Sequence, residues 1–209
     1  LRKFVTATPF CKVCFKPIRS ASFLFFSQGS QLLCPYCFAE MKPVLFRWKV
    51  GPVPCLAVYF YNPTVRTLLY QFKGCGDYEL KDVFFAYYAF WFHLRFRSYV
   101  LVPAPSSKSH DEKRGFNQVE AMCQCLRLPF ARYLEKRIEA KQSDLSAEAR
   151  KEVGKYIAYV GPKDLRRAKI LLVDDVYTTG STAKACMKAL LAHHPKKLVF
   201  LAMSKTLRK

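Results

Sequence analysis

From residue 55 onward, apolar positions alternate between two rhythms. Residues 56–61, 99–102, 156–160, 170–173 and 198–203 are short apolar runs that predict strands. Residues 64–72, 80–92, 117–126 and 143–153 follow helical spacing. Strands alternating with helices predict an α/β fold, with a mainly parallel sheet covered on both faces. In such sheets ligands bind at the carboxyl ends of the strands.

Gly51-Pro52-Val53-Pro54 interrupts this pattern with residues poorly suited to helix or central strand. That places a linker at 51–54, between an amino-terminal module (1–50) and a larger domain (55–209). Within the module, Cys11-Lys-Val-Cys14 and Cys34-Pro-Tyr-Cys37 form two CxxC knuckles with 19 residues between them. Two-residue spacing turns both thiolates of a knuckle toward one ion, and two knuckles complete a tetrahedron, so Cys11, Cys14, Cys34 and Cys37 are expected to bind structural zinc. A module this small buries little surface and depends on the metal for its folding. Cys55, Cys75, Cys123, Cys125 and Cys186 lack the pattern and read as core or surface thiols. Nine cysteines grouped this way argue for a reducing compartment rather than a disulfide framework.

Composition adds an electrostatic constraint. The 209 residues carry 35 Lys and Arg against 15 Asp and Glu, a net charge of +20. The excess is concentrated at the ends, +7 over residues 1–50 and +9 over 151–209. A solvated surface needs no net sign, whereas attraction of a polyanion does, so nucleic acid is the expected partner. Trp48 between Arg47 and Lys49 is the best candidate for base stacking, and Lys196 and Lys197 for phosphate contact; most of the other aromatic residues read as core. The apolar run 83–92 is about half of what a membrane span requires, and residues 1–10 do not resemble a secretory signal. His93, His110, His193 and His194 show no ligand spacing.

The densest chemistry lies at 170–182. Ile170-Leu-Leu-Val173 predicts a buried strand, Asp174 and Asp175 emerge at its end, and Tyr177-Thr178-Thr179-Gly180-Ser181-Thr182 leads into a helix that Ser181 or Thr182 can cap. In that helix Ala183, Cys186, Met187, Leu190 and Leu191 face inward, with Lys184 and Lys188 outward. Small residues with free amides at a helix start suit a phosphate, and the neighbouring carboxylates suit sugar hydroxyls or magnesium.

This window resembles the ribose-phosphate motif of type I phosphoribosyltransferases. The resemblance implies that Asp174 and Asp175 hold the ribose hydroxyls of phosphoribosyl pyrophosphate, with its magnesium. It implies that Tyr177, Thr178, Thr179, Gly180, Ser181 and Thr182 surround the 5-phosphate. Val102-Pro-Ala-Pro105 and Arg114-Gly-Phe-Asn-Gln118 are similar to the signature of the competence protein F (ComF, GntX) family, which joins a zinc ribbon to such a domain. Lys73-Gly74-Cys75-Gly76-Asp77 resembles that family's pyrophosphate-facing loop, with Lys73 and Arg114 near the leaving group. Lys141-Gln142 and Arg150 resemble a further family segment, but Val153-Gly154 stands where an asparagine is expected. The loop 106–113, with Lys108, His110 and Lys113, reads either as a basic flap over pyrophosphate or as a polar surface loop.

Two functions follow from the resemblance. One is a natural-competence protein that handles incoming single-stranded DNA and binds phosphoribosyl pyrophosphate as a ligand. It would be cytoplasmic or peripheral at the inner membrane, with a helicase or an inner-membrane channel among its partners. The other is an active phosphoribosyltransferase, in which Asp174, Asp175, Lys73 and Arg114 assist displacement of pyrophosphate by a base or amine. The charge excess at both ends favours the first.

Overall fold

The computed structural model describes residues 8–18, 32–106, 111–112, 114–138 and 155–207. The expected helix 143–153, Lys141, Gln142, Arg150, Lys108, His110 and Lys113 lie outside them. Strands β1 (Pro43–Val50), β2 (Val53–Phe60), β3 (Val100–Pro103), β6 (Lys169–Tyr177) and β7 (Lys197–Lys205) form a five-stranded sheet in the order β1-β2-β7-β6-β3. The β2–β7, β7–β6 and β6–β3 pairs are parallel, and β1 joins antiparallel at one edge. Strands β4 (Leu134–Ile138) and β5 (Lys155–Tyr159) make a separate antiparallel pair. The fold is therefore α/β with a mostly parallel central sheet, as the alternating rhythm predicts.

β6 shows why the sheet is covered on both sides. Ile170, Leu171, Leu172 and Val173 are all fully buried. Ile170 and Leu172 pack with Ala183, Cys186, Met187 and Leu190 of helix α5 (Ser181–Leu191). Leu171 and Val173 belong to the opposite core, beneath α2 (Pro63–Lys73), α3 (Ala89–Phe96) and α4 (Gln118–Cys123). Helix α2 starts where the Asn62 side chain accepts from the Val65 amide at 2.9 Å, and it buries Val65, Leu68, Leu69 and Phe72 on one face.

Two expectations need correction. Residues 51–54 are not a linker: Gly51 and Pro52 make the β1–β2 hairpin turn, and Val53 and Pro54 already belong to β2. Gly51 takes a left-handed φ of +56°, which glycine adopts without a Cβ penalty. Pro54 precedes Cys55, the first β2 residue partnered with β7, so its missing N–H interrupts no bond to that neighbour. The predicted helix 80–92 is two 3₁₀ segments, Tyr78–Val83 and Ala86–Tyr88, followed by α3. Leu80 and all five residues from Val83 to Tyr87 are buried, a pattern that one amphipathic helix with a single inward face does not give.

The cysteine module packs onto this domain. Cys11, Ile18, Leu33, Cys37 and Met41 share one core with Val58, Val65, Phe72 and Tyr87. The Phe38 ring stacks on Tyr87 at 3.7 Å, Asn62 Nδ2 donates to the Met41 carbonyl at 2.9 Å, and Lys12 pairs with Glu79.

Candidate functional site

The four knuckle cysteines converge. Their Sγ atoms all lie within 4.8 Å of one another, and Cys14 and Cys34 are 3.8 Å apart. Four thiolates about 2.3 Å from one zinc ion sit about 3.8 Å from each other, so the cluster fits a closed tetrahedral ion. The knuckle geometry accounts for this: helix α1 (Pro35–Glu40) begins at Cys34, whose Sγ accepts from the Cys37 amide at 3.4 Å, and Cys11 N donates to Lys16 O at 2.9 Å. Burial raises the Cys11 thiol, but the amides of Cys34, Cys14 and Val13 outweigh it and bring Cys11 down to about 7. Burial raises Cys37. Of the remaining cysteines, Cys55, Cys123 and Cys186 are buried and Cys75 is exposed.

At the carboxyl end of β6, Asp175 is 7% exposed and held from two directions. Lys73, the last residue of α2, forms an ion pair with its Oδ2, and Gln118 at the start of α4 donates to the same oxygen at 2.6 Å. Helix α4 is oriented by Asn117, whose Oδ1 accepts from the amides of Val119 and Glu120. Asp174 Oδ1 accepts from the Asp175 amide at 2.9 Å. Burial, and then the charge of Asp175, push the Asp174 carboxyl up to about 8, against the pull of that amide and of Lys73.

Beyond the carboxylates, Gly180 stands at the amino end of α5 with φ +77°, and no side chain caps the helix. The expected cap by Ser181 or Thr182 is thus absent. The glycine occupies the cap position, and Ser181 Oγ lies 3.2 Å from Thr179 Oγ1 instead. Thr178, Thr179, Ser181 and Thr182 are exposed, and of the first-turn amides that of Ser181 donates to Thr179 Oγ1 at 3.4 Å, so the helix start still presents amides and hydroxyls suited to an anion. A Cβ on Gly180 would collide with the Tyr177 ring, which lies across the loop.

The fold brings the Lys73–Asp77 loop to these carboxylates through the Lys73–Asp175 pair. Gly74 closes α2, and Gly76 has φ +72°. Arg114 is turned elsewhere: its Nε donates to the Lys73 carbonyl at 3.0 Å, its guanidinium approaches Asp111 at 3.6 Å, and it lies over the Phe116 ring. It braces the backbone behind Lys73. Sequence reasoning missed the role of Gln118 and of Lys205. The Lys205 ammonium, paired in register with Tyr177, sits 5.4 to 5.9 Å from the rings of Phe46, Trp48 and Tyr177. Spacing along the chain gave no signal for either contact.

The residues expected to meet nucleic acid separate. Trp48 is not an open platform: its ring packs edge-on against Tyr177 at 5.1 Å and Phe200 at 6.2 Å, beside Phe46 and under Lys205. Strand alternation turns it away from Arg47 and Lys49, which are exposed. Arg47 and Lys197 line one common groove, while Lys196 is exposed just before β7.

These features define an α/β protein with a mostly parallel sheet, a carboxylate and cation cluster before a glycine-led helix at the strand ends, and a four-cysteine cluster packed on its helical layer. By sequence the chain is related to the competence proteins named ComFC. It is 32% identical over 137 residues to Competence protein ComFC of Bacillus subtilis, covering 65% of this chain and 57% of that protein. It is 30% identical over 135 residues to Competence protein ComFC of Streptococcus pneumoniae, covering 64% and 60%. The chain thus spans less than two thirds of the length of either relative. No model of a known protein family matches it. Among solved structures it is similar to a purine phosphoribosyltransferase from Pyrococcus horikoshii (TM-score 0.36, 13% identity, 56% of this chain and 69% of that one). It is also similar to a hypothetical protein from Neisseria gonorrhoeae with bound ppGpp (TM-score 0.38, 14% identity, 72% and 71%). No helix among the described residues is long and apolar enough to cross a membrane.

Proposed function

We propose that this is a natural-competence protein that handles incoming single-stranded DNA and binds phosphoribosyl pyrophosphate through the carboxyl-end site. The observation that carries the ligand reading is the joint placement of Lys73, Gln118 and the two carboxylates ahead of the uncapped start of α5. In a ligand complex Asp174 and Asp175 would hold the ribose hydroxyls and the magnesium ion, which would neutralise pyrophosphate charge. The amides from Thr178 to Thr182 would receive the 5-phosphate, with Tyr177 beside them. Lys73 would exchange Asp175 for a pyrophosphate oxygen, so the pair seen here keeps two opposite charges balanced until the ligand supplies both counterparts. The +20 charge and the competence-protein relatives support the DNA part.

Titration of the protein with magnesium phosphoribosyl pyrophosphate in a calorimeter tests the pocket. The wild type should bind and Asp174→Asn/Asp175→Asn should not; equal binding by both overturns the assignment. Anisotropy of a labelled single-stranded oligonucleotide over a salt series tests the DNA reading, and loss of all binding by physiological salt overturns it. A second reading, transfer of ribose 5-phosphate to a base or amine, is favoured by the cation and carboxylates held together at one strand end. Pyrophosphate release on addition of an acceptor base would establish it.

A further inference from the structure

At the other end of the sheet lies a groove that the ribose-phosphate site does not use. It holds about 400 Å³, within the range of ligand-binding clefts. Its floor comes from one face of β1, β2 and β7, and its wall from α3. Lys197 begins β7 and Pro54 lies near the start of β2, so the groove opens at the amino ends of these parallel strands. Asp174 to Thr182 lie at the carboxyl ends.

Its chemistry combines exposed aromatic surface with unopposed positive charge. Trp91 is 66% exposed, with the Phe90 ring edge-on to it at 5.6 Å, whereas Phe92 and Phe96 of the same helix are buried. Arg47, Arg95 and Lys197 line the groove, no carboxylate does, and none of the three pairs with an acidic side chain among the described residues. The Arg95 guanidinium lies 5.5 Å from the Phe96 ring, a second flat surface. A purely apolar partner would leave three cations desolvated and unpaired. A second copy of this chain would bring together two molecules of charge +20. A ligand that alternates flat rings with phosphates satisfies both features.

We propose that this groove is the docking site for single-stranded nucleic acid, with bases stacked on Trp91 and phosphates on Arg47, Arg95 and Lys197. The proposal rests on the DNA-handling reading and supplies the surface for it. It moves the stacking role from Trp48, whose ring is packed, to a tryptophan on α3 that the sequence reading left within an apolar run.

The test uses the full chain and a fluorescein-labelled 20-nucleotide oligothymidylate, followed by anisotropy at several salt concentrations. Trp91→Ala should weaken binding about 10-fold or more with little change in salt slope. Arg47→Ala/Lys197→Ala should weaken it and lower the slope by about 1.4, two lost contacts at about 0.7 each. Lys188→Ala, an exposed cation on α5, should bind as the wild type does. Oligonucleotide should quench tryptophan emission in the wild type and in Trp48→Phe, but not in Trp91→Phe, which also guards against misfolding of the alanine variant. If the wild type binds while Trp91→Ala and Arg47→Ala/Lys197→Ala bind equally well, the groove is overturned and DNA handling stands. If the wild type does not bind, the DNA reading fails and the groove with it. If Trp91→Ala changes only the oligomeric state on size exclusion, the face serves self-association and the proposal is overturned.

Discussion

Replacing Asp174 by Asn should stabilise the ligand-free protein, by an amount that depends on pH. The Asp174 carboxyl, ordinarily at 3.8, is raised to about 8 by burial and by Asp175. Between these values the folded protein keeps a proton that the unfolded chain releases, so the contribution of Asp174 to folding stability is greatest below about pH 4 and declines as pH rises toward 8. At 1.36 kcal/mol per pH unit, the full penalty at pH 7 is about 4 kcal/mol, and relaxation of solvent around a partly exposed carboxyl leaves about 2–4 kcal/mol. Asn carries no charge and retains an Oδ1 to accept from the Asp175 amide, now at 2.9 Å. Urea unfolding of wild type and Asp174→Asn at pH 5 and pH 7 measures this directly. The variant should gain about 2–4 kcal/mol at pH 7 and about 1 kcal/mol at pH 5, with unchanged m-value. A gain equal at both pH values, or none at pH 7, would refute the reasoning. Such a gain, accompanied by loss of phosphoribosyl pyrophosphate binding, is the usual signature of a site held in strain for function.

Further outcomes follow from the same geometry. Lys73→Met should destabilise the protein by about 1–3 kcal/mol, because it removes the cation from a carboxylate that is 7% exposed, and adding Asp175→Asn should recover most of that loss in a double-mutant cycle of chemical denaturation. Gly180→Ala should cost about 1–2 kcal/mol for a left-handed alanine and displace the Tyr177 ring, lowering the melting temperature by about 3–6 °C, and an unchanged melting curve would contradict the loop geometry. Cys34→Ser should lose zinc, measured by plasma emission spectrometry. Because Cys37 and Met41 share a core with Val58 and Tyr87, it should also lower the melting temperature of the whole chain; stoichiometric zinc in the variant would sink the four-thiolate assignment.

Local patterns carried much of this molecule. The run Ile170 to Val173 is legible as a strand because a short apolar run that ends at two carboxylates and a Thr/Gly/Ser loop suits a strand buried on both faces, and the paired CxxC spacing turns both knuckles toward one centre. Those features depend on near neighbours in the chain, which share a face or a turn whatever the rest of the fold does. Residues 51–54 and 80–92 were misread for the complementary reason. Pro54 is tolerated within a strand because of where the β7 ladder begins, and a single amphipathic helix is broken because residues 83–87 are buried at five consecutive positions. Both depend on which elements pack alongside, and no window of sequence contains them.

The site divides in the same way. The sequence determined the chemistry of the strand end and its helix, Asp174 through Thr182, the four zinc-type ligands, and the excess of positive charge. Only the tertiary structure decided that Lys73 and Gln118 close on one oxygen of Asp175, that Arg114 braces backbone, that Lys205 lies over three aromatic rings, and that Trp48 is packed while Trp91 stands open between Arg47, Arg95 and Lys197. The physical reason is separation along the chain. Asp175 meets partners 102 and 57 residues away, and such contacts are set by the crossover connections of a parallel sheet rather than by any local propensity.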